Sequence, residues 1–123
     1  MKKLLRLACI VLLAASAAGR AAPPTPIPGL RVYTIGHSFH FWVAPILREI
    51  ADLGGVKGHV VAGVAYRGGS TVQKIWDEAA GAQAREALEK GGIDVLTLAP
   101  IWMPDDGIEK FVKLGLEHNA NLR

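Results

Sequence analysis

Cysteine is nearly absent from this chain. Its 123 residues hold one, Cys9, inside an apolar run near the N-terminus. From residue 22 onward there is no thiol, which excludes disulfides, thiolate metal sites and cysteine nucleophiles there. Acidic residues are also missing from the first part, none preceding Glu49. In the same region Lys2, Lys3 and Arg6 stand before the apolar, small-residue stretch 7–18. That layout reads as a secretory signal peptide, short for a membrane span, with an uncleaved membrane anchor as the alternative, and Ala15-Ser-Ala17 fits the small-x-small cleavage rule. We expect residues 1–21 to be the signal peptide, with an exported (periplasmic or secreted) product and no stable membrane association after cleavage.

Removing that leader takes away Lys2, Lys3, Arg6 and Arg20. Ten basic side chains then face eleven acidic ones, a formal charge of −1. The basic balance of the whole chain is thus a property of its leader. No cluster of Lys and Arg with interleaved aromatics follows, so no nucleic-acid partner is expected. Internal repeats and blocks of like charge are absent too. The one biased segment is the proline-rich stretch 22–29, which reads as an extended linker.

What remains is about one small domain, residues 30–123. Residues 30–35, 59–65 and 93–99 are short apolar runs of the kind that form parallel strands covered on both faces. Phe39, Trp42, Val43, Ile46, Leu47, Ile50 and Ala51 recur at helical spacing, which predicts an amphipathic helix with Trp42 in the core. Pro45 must lie in or near its first turn. A second helix carries Val72, Ile75, Trp76 and Ala79, is interrupted near Gly81 and resumes through Ala84, Ala87 and Leu88. A last helix turns Ile108, Phe111, Val112 and Leu116 inward. Asp106 and Glu109 have capping-box spacing there, and Glu109 and Lys113 form an i,i+4 pair. Strands alternating with helices imply an α/β domain, a parallel sheet with right-handed crossovers in three layers. Leu122-Arg123 reads as the start of a fourth strand, so the domain is expected to be truncated.

In such sheets ligands bind beyond the carboxyl ends of the strands. Three loops leave those ends. Gly36-His-Ser38 places a serine where a helix is expected to begin, with its hydroxyl exposed and free amides nearby, a position suited to a nucleophile. The structural alternative for Ser38 is a helix N-cap. Residues 67–71, Arg-Gly-Gly-Ser-Thr, offer unshielded backbone N–H groups that suit an oxyanion, with Ser70 and Thr71 also placed as caps. Residues 100–106 are rich in proline and apolar side chains and shape a pocket wall, with Trp102 able to stack on a sugar face. His37 and His40 flank Ser38 and are expected as polar pocket-rim or loop residues. His37-x-x-His40 has no third ligand at metal-site spacing.

Ile35-Gly-His-Ser-Phe39, Gly68-Gly69-Ser70 and Asp94-Val-Leu-Thr-Leu98 resemble the first three blocks of the SGNH/GDSL-type serine hydrolases. Thr34-Ile-Gly-His-Ser-Phe39 and the closing His118-Asn-Ala-Asn-Leu-Arg123 are similar to a group of exported bacterial members. The resemblance implies a flavodoxin-like sheet and ester hydrolysis through an acyl-serine, with acyl groups on small molecules or carbohydrates as substrates. It implies Ser38 as nucleophile, an oxyanion hole from the amides of Ser38 and of Gly68 or Gly69, His37, Ser70 and Trp102 as possible pocket residues, and no cofactor or metal. Two departures stand out. The family's third-block Asn has no counterpart in Ala99-Pro-Ile-Trp-Met-Pro-Asp-Asp106, and the family's catalytic His would fall beyond residue 123. A non-catalytic anion- or sugar-binding module on the same fold, or an inactive truncated product, are the alternative readings.

Overall fold

The computed structural model describes residues 25–123; the expected signal peptide, residues 1–21, lies outside them. Three strands, β1 (Arg31–Gly36), β2 (Val60–Tyr66) and β3 (Val95–Leu98), form one parallel sheet in the order β2-β1-β3. The expected α/β class with a parallel sheet flanked by helices is therefore what the chain adopts. β1 is central, and every residue of it after Arg31 is buried. The order reverses at β1, since β2 and β3 lie on opposite sides of it.

Alternation along β1 divides the interior. Tyr33 and Ile35 face one side, in a cluster with Val72, Ile75, Ala84, Leu88, Ile93 and Phe111. Those residues come mostly from α2 (Val72–Asp77), α3 (Ala79–Glu89) and α4 (Asp106–His118). Fully burying a side chain such as Phe111, Ile35 or Leu88 contributes about 1.5–3 kcal/mol, so this side supplies most of the apolar stabilisation. Val32 and Thr34 face the other side, where α1 (Val43–Leu53) packs on β1 and β2.

Several elements differ from expectation, each for a physical reason. The first helix begins only at Val43, with Trp42 at its N-cap and no side-chain cap. Pro45 sets this boundary: as the third helical residue its missing N–H costs nothing, whereas a start near Phe39 would set its ring against the carbonyl of Phe41. Ser38 is consequently five residues before the helix, in a turn, and is neither its N-cap nor at its dipole end. Trp42, expected in the core, is 47% exposed, and Ile46, Leu47 and Ile50 are exposed as well.

The second helical segment breaks at Glu78, which is extended, rather than at Gly81. Gly81 serves the break differently: a β-carbon there would lie 2.1 Å from the carbonyl oxygen of Ile75. In α4, Phe111 is buried as expected, but Val112 and Leu116 are exposed and Leu114 packs against the core instead. Glu109 and Lys113 are not among the ion pairs of the described residues.

Both ends of the described chain join the sheet. Pro28 bridges Lys57 in parallel, and the Gly29 amide donates to the Lys57 carbonyl at 2.8 Å, so the end of the expected linker is already paired. At the other end the Arg123 amide donates to Asp94 O at 3.1 Å, and the Leu96 amide donates to Arg123 O at 2.9 Å. Bonds to the residues on either side of Val95 are the pattern of a parallel ladder. Arg123 thus lies beside Val95 on the far side of β3, although among the described residues only β1, β2 and β3 are strands.

Candidate functional site

The three loops that leave the carboxyl ends of the strands meet around the tip of β1. Past the last paired residues, the Arg67 amide donates to Gly36 O at 3.2 Å and the Ala99 amide donates to Ile35 O at 3.0 Å. The loops after β2 and β3 are therefore stitched to the two sides of β1 just where Ser38 follows. The space around Gly36 is tight: a β-carbon would lie 3.0 Å from Ala99 Cβ and 3.1 Å from His40 Cβ and Cδ2.

Ser38 and Phe39 occupy the corner of a turn closed by the His40 amide, which donates to His37 O at 2.9 Å. Ser38 is exposed, and its hydroxyl and amide make no hydrogen bond among the described residues. The His37 ring stays local, accepting from the Phe39 amide at 3.4 Å and meeting the Phe39 ring edge-on. Neither histidine is hydrogen-bonded to the Ser38 hydroxyl.

His40 turns inward instead. Its Nε2 lies 3.0 Å from Thr97 Oγ1, and Thr97 Oγ1 lies 3.1 Å from Thr34 Oγ1. Thr34 and Thr97 are register partners on β1 and β3, which brings their hydroxyls to the same face. Burial, with the neighbouring His37 adding to it, holds the His40 pKa below the ordinary histidine value.

The loop after β2 turns at Gly68-Gly69, where Gly69 has φ +61, a left-handed geometry that glycine adopts without strain. Neither glycine amide donates a hydrogen bond among the described residues, and both residues are exposed. Thr71 caps α2, its Oγ1 accepting from Lys74 N at 3.2 Å. Ser70 is only 3% exposed and its hydroxyl is turned to Thr71 O. The amides at the start of α2 are already occupied. Asp105 accepts from Val72 N at 2.7 Å and from Gln73 N at 2.8 Å. An oxyanion can therefore reach only the Gly68-Gly69 turn of this loop, not the helix start behind it.

Asp105 is the residue that sequence reasoning missed. Its Oδ1 also accepts from Gly107 N at 3.1 Å, so it, and not Asp106, is the N-cap of α4. One buried carboxylate thus joins two helix starts, where the dipoles favour negative charge. Gly107 permits the approach, since a β-carbon would lie 2.2 Å from Gln73 N. Thr34, Thr97 and the inward turn of His40 were missed as well. Their only signal is the threonines interrupting two apolar strands.

Trp102 is 69% exposed on the loop after β3, and Phe39, Met103, Phe41 and Tyr66 are also exposed at this end of the molecule. The Phe41 and Tyr66 rings meet at a tilt of 45°, with centroids 4.8 Å apart. No three His, Cys, Asp or Glu side chains gather into a metal-binding group among the described residues. No family model, curated protein or solved structure matches the chain.

Proposed function

We propose that this chain carries the nucleophile and part of the oxyanion-binding edge of an exported serine acyl hydrolase of the SGNH/GDSL type. The observation that carries the reading is Ser38, exposed at the corner of a tight turn beyond the central strand, between two loops stitched to that strand. In doubly wound sheets a strand order that reverses at the first strand opens a ligand crevice at that point, and the order β2-β1-β3 reverses at β1. The same 2-1-3 order begins flavodoxin-like sheets, which agrees with the resemblance.

In this reading the Ser38 hydroxyl attacks the acyl carbonyl, and its proton passes to a histidine base outside these 123 residues. The amides of Ser38 and of Gly68 or Gly69 hold the negative oxygen of the tetrahedral intermediate. The collapsing intermediate expels the alcohol, and water then releases the acyl group from Ser38. Trp102 and His37 lie on the exposed rim where the alcohol portion, a small molecule or a carbohydrate, would rest. The apolar leader, on this reading, exports the protein.

A second reading, a non-catalytic anion- or sugar-binding module, is favoured by a specific observation. No side chain among the described residues is hydrogen-bonded to the Ser38 hydroxyl, and the loop after β3 offers no Asn. The experiment that separates the two is fluorophosphonate labelling of the exported protein from its own cells, mapped by mass spectrometry. Labelling at Ser38 that disappears in Ser38→Ala supports the hydrolase. An unlabelled protein that retains ligands equally well as Ser38→Ala supports the module.

A further inference from the structure

We propose that His40 is a positioning residue for Ser38: its ring N–H, donated to the Thr97 hydroxyl, fastens the turn that presents Ser38 to β3. The catalytic consequence rests on the hydrolase reading above; the geometry does not.

The turn is held at its two ends. At the first, His37 follows directly from β1. At the second, the chain is closed by the His40 amide on His37 O at 2.9 Å and the Phe41 amide on the same oxygen at 3.3 Å. Those bonds close the turn on itself and do not anchor it to the sheet. The attachment to the sheet is the His40 ring. Its Cβ and Cδ2 lie over Gly36, and its Nε2 reaches Thr97 Oγ1 at 3.0 Å.

Thr97 Oγ1 sits between His40 Nε2 at 3.0 Å and Thr34 Oγ1 at 3.1 Å. In the proposed arrangement Thr97 donates its hydroxyl hydrogen to Thr34 and accepts from Nε2–H, which leaves Nδ1 the free lone pair. Thr34 is fully buried and Thr97 half-buried, so an imidazole that could not donate would leave the Thr97 lone pair facing an aromatic edge. His40 Nε2 is consequently committed to β3 and cannot take the Ser38 proton. This role is distinct from that of a base.

The test uses the 123-residue chain labelled uniformly with 15N. Wild type is expected to show His40 as the Nε2–H tautomer. Thr97→Val, which keeps the volume and removes the acceptor, is expected to mix the tautomers and to speed hydrogen exchange of the His40 and Phe41 amides about five- to tenfold. Exchange of the Ile35 amide in β1 is expected to stay unchanged. Thr97→Ser should restore the wild-type pattern. His40→Gln, whose amide N–H can also donate, should retain turn protection that His40→Ala loses, which keeps the question answerable if Thr97→Val folds poorly. In the exported protein from its own cells, fluorophosphonate labelling of Ser38 should slow about tenfold or more in Thr97→Val and recover in Thr97→Ser. A wild-type His40 protonated on Nδ1, or turn exchange indifferent to both Thr97→Val and His40→Ala, overturns the proposal. If Ser38 is unlabelled in every form, the hydrolase reading fails while the tautomer and exchange results still decide the role of His40.

Discussion

Replacing Asp105 with alanine should be among the most damaging single changes in this chain. Asp105 is 8% exposed and accepts from Val72 N at 2.7 Å, Gln73 N at 2.8 Å and Gly107 N at 3.1 Å. Loss of an N-cap costs about 1 kcal/mol on its own. Two further amides, one of them buried, lose a charged acceptor, and leaving such donors unpaired costs about 1–3 kcal/mol each. Allowing partial rehydration of the Gln73 amide, the sum is about 3–4 kcal/mol, a large part of the roughly 5–15 kcal/mol that stabilises a small domain. For a domain of this size that corresponds to a fall in Tm of about 15–25 °C. Urea titration followed by circular dichroism on wild type, Asp105→Ala, Asp105→Asn and Asp106→Ala gives the comparison. Asp105→Asn keeps one acceptor oxygen and should lose about half as much. Asp106→Ala, at an exposed first-turn position, should change stability by about 0.5 kcal/mol or less. Equal losses for the Asp105 and Asp106 variants, or a loss below about 1 kcal/mol for Asp105→Ala, would refute the assignment of a shared cap.

Gly107→Ala should destabilise by several kcal/mol, since its β-carbon would meet the backbone of Gln73 at 2.2 Å, and thermal melts would show this. The His40 pKa is lowered in the fold by burial and by His37. The unfolded chain therefore binds the proton first, so stability falls as pH drops below about 6.5 and levels off below the folded-state value. Urea midpoints between neutral and mildly acidic pH should show that slope, and His40→Gln should remove its share; a rise in stability on acidification in this range would contradict the direction. On α1, Leu53→Ala should cost little, about 0.5 kcal/mol or less, because Leu53 is 84% exposed; a loss above about 2 kcal/mol, the scale of a buried leucine, would show that something covers this face.

The strand–helix alternation was legible because short continuous apolar runs and 3.6-residue patterns report on which surfaces meet the core, and α/β order follows from them. The starting points of the helices were not. Pro45 was recognised as awkward, yet placing it third in α1 required weighing a ring clash against an attractive apolar stripe, and the stripe prevailed in the sequence reading. The consequence was large, because Ser38 moved from a helix terminus to a turn, away from the free amides of a helix start. Asp105 was hidden by local reasoning. The Asp106–Glu109 spacing satisfies a capping box within one helix, whereas the reason for choosing Asp105 lies 33 residues away at Val72 N. The stripe on α1 misled in a different way, since a periodic apolar face signals a tendency to be buried and α1 leaves much of its face exposed among the described residues.

Two pins hold the site, and they bear differently on its function. Asp105 joins the loop after β3 to the start of α2, behind the Gly68-Gly69 turn, and His40 joins the Ser38 turn to β3 through Thr97. All three strand-end loops are thus tied to one another by side chains that do not touch the Ser38 hydroxyl. A preorganised edge of this kind is what oxyanion stabilisation demands, because donors that must reorganise during the reaction lose most of their advantage. The same rigidity serves a binding module equally well. The distinction lies with the proton of Ser38: one histidine at this edge has its Nε2 committed to β3, and the other is engaged with its own turn. On the hydrolase reading a base supplied from outside residues 25–123 takes that proton, and a chain supplied with such a base should label at Ser38 where the chain alone does not. If the chain alone labels readily and His37→Ala abolishes it, the base is local and the turn geometry described here does not represent the reacting state.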